Sequence, residues 1–268
     1  MRLLITGAAG FVGSHLVPAA TARGHKVTAL SRSGRHPQGV ATAFRWSFGE
    51  PVPAEAVQDV DCAIHLAHDF DGEDGARRTI DSTRTAVAKL REGGVRRQLF
   101  FSSYSAGEHS VSLYGKTKLA MERAFTNQKD IIIVRPGLVI GEGGLYGRIR
   151  EWAQRLPLIP LPDGGLGKVP VIGIRDLCER TLHLVTMTTP PKEENLFEPD
   201  LKSLREIVLK AAEEVGRRPR ILPVSSGLLI RALAIAQRLG ISLPVNADNL
   251  LGFLANQSHI ESMQTQST

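Results

Sequence analysis

A glycine-rich turn directly after the first apolar segment constrains this chain more than any other feature. Residues 3–5 read as a buried strand, and residues 11–23 read as a helix. Where a Cβ is absent, the backbone can take positive φ and approach an anion, which the amides at the helix N-terminus then face. A strand, a glycine turn and a helix in this order predict a site for the pyrophosphate of a dinucleotide. The residues predicted to line it are Thr6, Gly7, Gly10, Phe11, Val12 and Gly13.

Apolar segments and helical patterns alternate through the first half of the chain. Strands are predicted at residues 3–5, 26–30, 43–46, 62–66, 98–102 and 131–135. Helices are predicted at residues 11–23, 54–57, 78–91 and 114–127. This alternation is typical of parallel strands joined by crossover helices. The predicted fold class is therefore α/β, with a Rossmann-type doubly wound parallel sheet.

The pattern changes after Pro136, where loops rich in glycine and proline replace the alternation. Residues 194–268 read as mainly helical. We expect residues 1–190 to form a dinucleotide-binding Rossmann domain, with residues 141–168 contributing to the substrate-binding part. Residues 191–268 are expected to form a smaller, mainly helical C-terminal substrate lobe.

Charge, cysteine content and hydropathy exclude several classes of function. The net charge is +6, but the basic residues are scattered, which argues against nucleic-acid binding and for weak attraction to anionic ligands. Cys62 and Cys178 do not make a disulfide framework, so a reducing cytoplasm is expected. No apolar run approaches the ~18 residues that span a bilayer, so no integral membrane segment is predicted. His15, His65 and His68 lack partners at metal-ligand spacing, so no metal site is predicted.

An apolar helical pattern near the C-terminus, residues 225–240, has one narrow polar stripe. Such a helix needs a partner surface. We expect it to dock against the dinucleotide-binding domain, with a peripheral membrane surface or another protein as alternatives.

Tyr114 and Lys118 are four residues apart at the start of a predicted helix and therefore share one face. A free tyrosine has a pKa of about 10, but an adjacent ammonium and the positively charged nicotinamide ring favour the phenolate. Tyr114 would then exchange a proton with a hydroxyl or carbonyl group, and Lys118 would also bind the nicotinamide ribose. The alternative is a tyrosine and a lysine on a solvated helix face.

A run of hydroxyl-bearing residues, which includes Ser102, Ser103 and Ser105, comes at the end of the predicted strand at residues 98–102. Ligand crevices open at the carboxyl ends of parallel strands. A serine there can hydrogen-bond a substrate oxygen and stabilise developing charge. The alternative is a set of turn or cap hydroxyls that satisfy backbone amides.

These motifs, together with Arg135-Pro136-Gly137, resemble those of the short-chain dehydrogenase/reductase family. The likeness covers residues 1–190 and is to the extended or atypical branch, which includes epimerase/dehydratase-like proteins. The catalytic residues that the resemblance implies are Tyr114, Lys118 and Ser103, with Ser105 as the alternative to Ser103. The further cofactor contacts that it implies are Leu66, Ala67, His68, Lys118, Pro136 and Leu138. It also implies a homodimer formed through the helices at residues 78–91 and 114–127.

Two departures from the family's pattern bear on the reaction. Thr79 stands where the family often has an asparagine, which alters the expected proton relay. Tyr104 and Ser105 occupy the positions of the strand-end acids that dehydratase members use. Dehydration is therefore not expected.

The end of the second predicted strand indicates which cofactor is used. An acidic residue there would accept hydrogen bonds from the hydroxyls of the adenine ribose and repel a phosphate. This chain has Ser31, followed by Arg32 and, nearby, Arg35. A guanidinium can make paired hydrogen bonds to a 2′-phosphate and stack on adenine. We therefore predict NADP rather than NAD, the alternative being that both arginines are solvated.

The leading hypothesis is an NADP-dependent oxidoreductase that moves hydride between nicotinamide and a carbonyl or secondary alcohol of a small molecule. A nucleotide-sugar epimerase that retains its cofactor would need the same residues and is the first alternative. The second alternative is a non-catalytic NAD(P)-binding protein that senses redox state or assembles with partners.

Overall fold

The computed structural model describes residues 1–34, 40–238, 248 and 252. Within these residues the chain forms two compact units, each assembled from separate segments. The first unit comprises Met1–Ala106, Thr117–Pro136 and Ile174–Leu196. The second unit comprises Gly107–Lys116, Gly137–Gly173 and the described residues that follow Leu196.

Strands and helices occupy most of the described residues. The strands are β1 (Arg2–Thr6), β2 (Lys26–Ser31), β3 (Thr42–Arg45), β4 (Cys62–His65), β5 (Gln98–Phe101), β6 (Ile131–Pro136), β7 (Leu138–Ile140), β8 (Leu158–Pro162), β9 (Lys168–Val169), β10 (Val171–Gly173), β11 (Glu193–Leu196), β12 (Lys202–Ser203) and β13 (Arg220–Val224). The helices are α1 (Phe11–Ala22), α2 (Ala54–Val57), α3 (Gly72–Glu92), α4 (Leu113–Phe125), α5 (Gly144–Arg155), α6 (Ile174–Thr186), α7 (Leu204–Glu214) and α8 (Ser226–Arg238). A 3-10 helix spans Asp163–Gly165.

Seven strands of the first unit form one parallel sheet in the order β11-β6-β5-β4-β1-β2-β3. The strand order reverses at β1, as in the Rossmann fold. The predicted α/β class with a doubly wound parallel sheet is therefore confirmed, and each predicted strand is present to within one residue at either end. The edge strand β11 was not predicted, and it lies just beyond residue 190, where the sequence analysis ends the Rossmann domain.

The crossover helix α3 begins earlier than the sequence predicts, at Gly72 instead of residue 78. Its first turn carries Glu73 and Asp74, whose negative charges are favourable at the positive end of the helix dipole. These residues carry no apolar period, so the pattern alone did not indicate a helix there.

The parallel strands of the sheet end at a common edge, and the register of their pairing shows which loops start there. All residues of β4 and β5 are buried, as expected of parallel strands covered by helices. The register pairs Thr6 with His65 and His65 with Phe100. The loops that follow β1, β4 and β5 therefore start side by side at the carboxyl edge of the sheet.

The second unit has a core of its own and three two-stranded sheets, formed by β7 with β10, β8 with β13 and β9 with β12. Its core packs Tyr146, Ile159 and Ile207 from α5, β8 and α7. The sequence predicted mainly helix after residue 194, and α7 and α8 lie in that part, but the short strands β12 and β13 were not predicted. Prolines in both β8 and β13 hide the strand signal, because proline usually demotes a strand assignment.

The apolar C-terminal pattern forms α8, which lies beside β8 in the second unit. Leu233 is buried, whereas Leu228 and Ile235 are 62% and 58% exposed. Its docking against the dinucleotide-binding domain stays a prediction. Among the described residues, no helix combines the length and the apolar character needed to cross a membrane.

Candidate functional site

The turn between β1 and α1 follows a path that only glycine permits at two positions. Gly7 has a φ of +68°, and a Cβ there would lie 2.8 Å from the backbone nitrogen of Ala67. A Cβ at Gly13 would lie 2.5 Å from the carbonyl oxygen of Gly7. The turn therefore brings backbone segments closer together than any side chain would allow.

The start of α1 is arranged to receive an anion. Gly10 is the N-cap, so it brings no side-chain acceptor, and the first turn of the helix has no acidic residue. The first turn of α1, which contains Phe11 and Val12, therefore carries no negative side chain. The positive end of the helix dipole faces the glycine turn. We call this glycine turn, with Gly7 and Gly13 at the N-terminus of α1, the glycine cradle, because Cβ atoms would fill its space. Its geometry fits the pyrophosphate of NAD(P).

Gly13→Ala is expected to weaken binding of both NADH and NADPH by about tenfold or more, because the added methyl group would overlap the Gly7 carbonyl and displace α1. Titration of each dinucleotide against protein fluorescence measures the change. Gly227→Ala is the matched control, since a Cβ at that position meets nothing within 4 Å. If Gly13→Ala and the wild type bind the dinucleotide with equal affinity, the glycine turn does not form the pyrophosphate site.

The loop after β4 is held against this turn and against α3. The Leu66 amide donates to the carbonyl of Thr6 at 3.2 Å, and the Ala67 amide donates to the Thr6 hydroxyl at 3.3 Å. The Asp69 amide donates to the buried hydroxyl of Thr79 at 3.0 Å. The structure thus brings the predicted residues of β1 and β4 together, and it gives Thr79 a role in holding their loop.

Asp69 connects this loop to a network of charges. Arg78 donates to the carboxylates of Asp69 and Asp71, at 2.9 Å each. Burial acts to raise the pKa of Asp69, but hydrogen bonds from Arg78 and the Asp71 amide, with the charges of Arg78 and Arg32, lower it overall. Asp69 is therefore ionised at neutral pH, and Arg32 lies within its electrostatic reach.

His68 is a neutral side chain in this loop. Burial, followed by the nearby charge of Lys118, lowers the pKa of His68 to about 3. Its ring meets that of Phe70 edge to face, with centroids 4.5 Å apart. Near pH 7, Lys118 is therefore the cationic member of this pair.

The residues predicted to select the cofactor lie at the end of β2. Ser31 ends the strand and is buried, whereas Arg32 follows it and is exposed. The Gly34 amide donates to the Ser31 carbonyl at 3.2 Å, which closes a tight turn. Arg35 lies outside the described residues.

The serines after β5 have different surroundings. Ser102 is buried, and its hydroxyl donates to the carboxylate of Glu122 at 2.5 Å. The Ser103 hydroxyl accepts from the amide of Ser105 at 3.1 Å, which is the turn geometry given above as the alternative. A serine hydroxyl can accept and donate at once, so Ser103 can still donate to a substrate oxygen.

Lys118 is buried at the carboxyl end of β5. Its ammonium donates to the Phe101 carbonyl at 2.7 Å and lies 5.1 Å from the centroid of the Phe100 ring. Burial lowers the pKa of Lys118 to about 8, although the negative charge of Glu122 acts in the opposite direction. Tyr114 is partly exposed in the first turn of α4, one helical turn before Lys118. A buried lysine one turn from a tyrosine is arranged to affect proton transfer.

The segment after β6 also needs a glycine. A Cβ at Gly137 would lie 2.5 Å from the carbonyl oxygen of Pro170, and the Leu138 amide donates to that oxygen at 2.8 Å. The Pro136 carbonyl accepts from the Tyr104 amide at 3.0 Å. The cofactor contacts of Pro136 and Leu138, like the roles of the other site residues, stay predictions.

A charge network around the buried carboxylate of Glu122, beside Lys118, was not predicted from the sequence. The Arg135 guanidinium makes two hydrogen bonds to the carboxylate of Glu122, at 2.7 and 2.6 Å, and a third at 2.7 Å to Glu193. Glu122 is 4% exposed and also accepts from Ser102. The available signal was the position of Glu122, four residues after Lys118 on one helix face. This network ties α4 to β5, β6 and β11.

Comparisons with known proteins agree with this arrangement. The model of the NAD-dependent epimerase/dehydratase family matches residues 3–195. A ceramide reductase of Caulobacter vibrioides is 27% identical over 256 residues, which cover 86% of this chain and 76% of that protein. A 3-beta-hydroxysteroid dehydrogenase of Mycolicibacterium neoaurum is 28% identical over 167 residues, which cover 55% of this chain and 45% of that protein.

Among solved structures, a UDP-glucose 4-epimerase of Thermus thermophilus in complex with NAD shares the fold. Its TM-score is 0.66 at 20% sequence identity, over 96% of this chain and 98% of that chain. The family match spans most of the sequence and includes the glycine turn, Tyr114 and Lys118. The chain therefore belongs to the NAD-dependent epimerase/dehydratase family and is an NAD(P)-dependent enzyme.

Proposed function

We propose that this enzyme is an NADP-dependent oxidoreductase that transfers hydride between nicotinamide and a carbonyl or secondary alcohol of a small molecule. The observation that carries the proposal is the burial of the Lys118 ammonium at the end of β5, one helical turn after Tyr114. The ceramide reductase and the hydroxysteroid dehydrogenase among the relatives support a net oxidoreductase. The first of these relatives is named for ceramide and the second for a 3-beta-hydroxysteroid.

Each proposed residue has one chemical task in the reduction. Bound NADPH supplies the hydride that adds to the carbonyl carbon. Tyr114 donates its phenol proton to the carbonyl oxygen, and the charge of Lys118 stabilises the phenolate that results. The Ser103 hydroxyl donates a hydrogen bond to the same oxygen while negative charge develops there. In the oxidation, the Tyr114 phenolate takes the proton of the alcohol.

Consumption of NADPH distinguishes this proposal from its nearest alternative. A panel of ketones, including 3-ketosteroids and long-chain keto-lipids, is assayed for loss of NADPH absorbance, and UDP-glucose is assayed for conversion to UDP-galactose. The family's name and the epimerase fold neighbour support the epimerase alternative. Epimerisation without net NADPH loss, with a dinucleotide that stays bound through purification, would establish that alternative instead.

Arg32→Ala is expected to raise the Kd for NADPH by about tenfold or more and to leave the Kd for NADH within about twofold. The reason is that the exposed guanidinium of Arg32 follows a strand that ends in Ser31 and not in an acid. Calorimetric titration of both cofactors measures the change. Arg77→Ala is the control, because Arg77 is an exposed arginine paired with Asp74 on α3. Tighter binding of NADH than of NADPH by the wild type would contradict the choice of cofactor.

We also propose a homodimer in the cytoplasm, formed through the helices at residues 78–91 and 114–127, as the family resemblance implies. A monomeric mass in sedimentation equilibrium at micromolar concentration would contradict the dimer.

A further inference from the structure

The N-terminus of α4, the helix that carries Tyr114, has a partner for each of its first four amides. Two of these partners are local, because the hydroxyl of Ser112 accepts from the Gly115 amide at 3.1 Å and its carbonyl accepts from the Lys116 amide at 3.0 Å. The bond to Lys116 is the first regular bond of the helix, and the three amides before it have no partner within the helix. Ser112 is therefore the N-cap, but its hydroxyl satisfies only the third of these amides.

The other two amides are taken by one residue from far along the chain. The Asp248 carboxylate accepts from the Leu113 amide at 2.5 Å through one oxygen and from the Tyr114 amide at 3.3 Å through the other. Asp248 is 135 residues from Leu113 in sequence. A carboxylate at a helix N-terminus is stabilised both by these hydrogen bonds and by the helix dipole.

Gly252, four residues after Asp248, makes a second contact with this helix start. Gly252 is buried, and a Cβ there would lie 2.9 Å from the Ser112 hydroxyl. A Cβ at Gly252 would therefore require Ser112 or Gly252 itself to shift. The chain therefore approaches the N-terminus of α4 at Asp248 and again, four residues later, at Gly252.

We infer that Asp248 is a positioning residue, whose carboxylate clamps the backbone of Tyr114 and so fixes where its phenol lies. The inference rests on the proposed role of Tyr114. First turns of helices fray easily, and a catalytic group misplaced by about 1 Å costs much of its rate. Clamping two successive amides, one of them that of Tyr114 itself, prevents this fraying at the residue that transfers the proton.

The test compares Asp248→Ala, Asp248→Asn and the wild type. Asp248→Ala is expected to lower kcat by about tenfold, with KM for the ketone and Kd for NADPH unchanged, because the glycine cradle is untouched. Hydrogen exchange at the Leu113 and Tyr114 amides is expected to be about tenfold faster. Asp248→Asn keeps one acceptor oxygen and is expected to restore part of kcat and part of the protection.

The matched control is Ser203→Ala, which removes the capping box that Ser203 and Glu206 form at α7 in the same unit. It removes a helix cap from a helix without a proposed catalytic residue, so kcat is expected to stay at the wild-type value. A loss of kcat in Ser203→Ala equal to that in Asp248→Ala would overturn the inference. The loss would then follow from removal of any helix cap and not from the position of Tyr114.

Two further outcomes separate the inference from the proposed function. Faster amide exchange in Asp248→Ala with unchanged kcat would overturn the positioning role and leave the role of Tyr114 intact. Full activity of Tyr114→Phe would overturn the proposed function and, with it, the positioning role. If Tyr114→Phe is inactive while Asp248→Ala shows slower turnover and faster exchange, the inference is supported.

Discussion

Tyr114→Phe is expected to lower kcat by about 10²–10⁴-fold, the range over which a positioned general acid or base contributes. The change removes one hydroxyl and keeps the ring, so the packing of α4 is preserved. The glycine cradle at Gly7 and Gly13 does not involve this side chain. NADPH is therefore expected to bind the variant as tightly as the wild type. Steady-state rates with an active ketone, together with NADPH titration, measure both quantities.

The chain offers a matched control for this change. Tyr146 lies in the core of the second unit, and its hydroxyl donates to Glu214 at 2.9 Å. Tyr146→Phe likewise removes a phenol hydroxyl and is expected to cost some stability but no turnover. Near wild-type turnover by Tyr114→Phe would rule out the assignment of Tyr114 as the acid and base.

The sheet and the glycine turn could be predicted because their signals are local. Apolar strands alternate with helical patterns over short stretches of sequence, and the spacing of Gly7 and Gly13 follows from one turn. Each of these features is decided by neighbours within a few residues. The close approach of the turn to Ala67 adds a contact with the loop after β4, which the Rossmann order of strands already implies.

The hydrogen-bond partners of hydroxyl side chains could not be predicted from the sequence. Thr79 and Ser103 both stand at positions where the family pattern implies chemistry, yet each accepts a hydrogen bond from a backbone amide nearby, that of Asp69 or Ser105. A short hydroxyl side chain serves a turn or a ligand equally well. Only the folded backbone shows which amides are within its reach.

Charge pairs between residues far apart in the sequence could not be predicted either. In the sequence, Glu122 and Arg135 read as ordinary charged residues of a helix and a strand. The sheet order places β6 beside β11, so Arg135 reaches Glu193, and its guanidinium also binds Glu122 on α4. Asp248 reaches the first turn of α4 from even farther along the chain. Such pairings depend on the assembled fold and have no local pattern from which to be predicted.

Lys118→Met is expected to abolish most turnover, by about 10²-fold or more, and yet to leave the protein at least as stable at pH 7. Lys118 is 3% exposed, and its pKa is lowered by burial from 10.5 to about 8. The difference between these two values corresponds to about 3 kcal/mol that the buried ammonium costs the folded state. Loss of the hydrogen bond to the Phe101 carbonyl offsets about 1 kcal/mol of the gain.

The stability difference between the two proteins should also depend on pH. The folded chain releases the Lys118 proton near pH 8 and the unfolded chain near pH 10.5. Between these values the unfolded chain binds more protons, so the free energy of unfolding of the wild type rises with pH relative to that of Lys118→Met. The advantage of the variant is therefore full below pH 8 and declines as the pH approaches 10.5.

Urea unfolding of both proteins at pH 7 and pH 10 measures this change. Lys116→Met is the control, because Lys116 is exposed on the same helix and its replacement should alter neither turnover nor stability appreciably. If Lys118→Met is less stable than the wild type at pH 7, the buried ammonium stabilises the fold. Greater stability with lost turnover would mean that the fold bears the cost of this buried charge for the reaction.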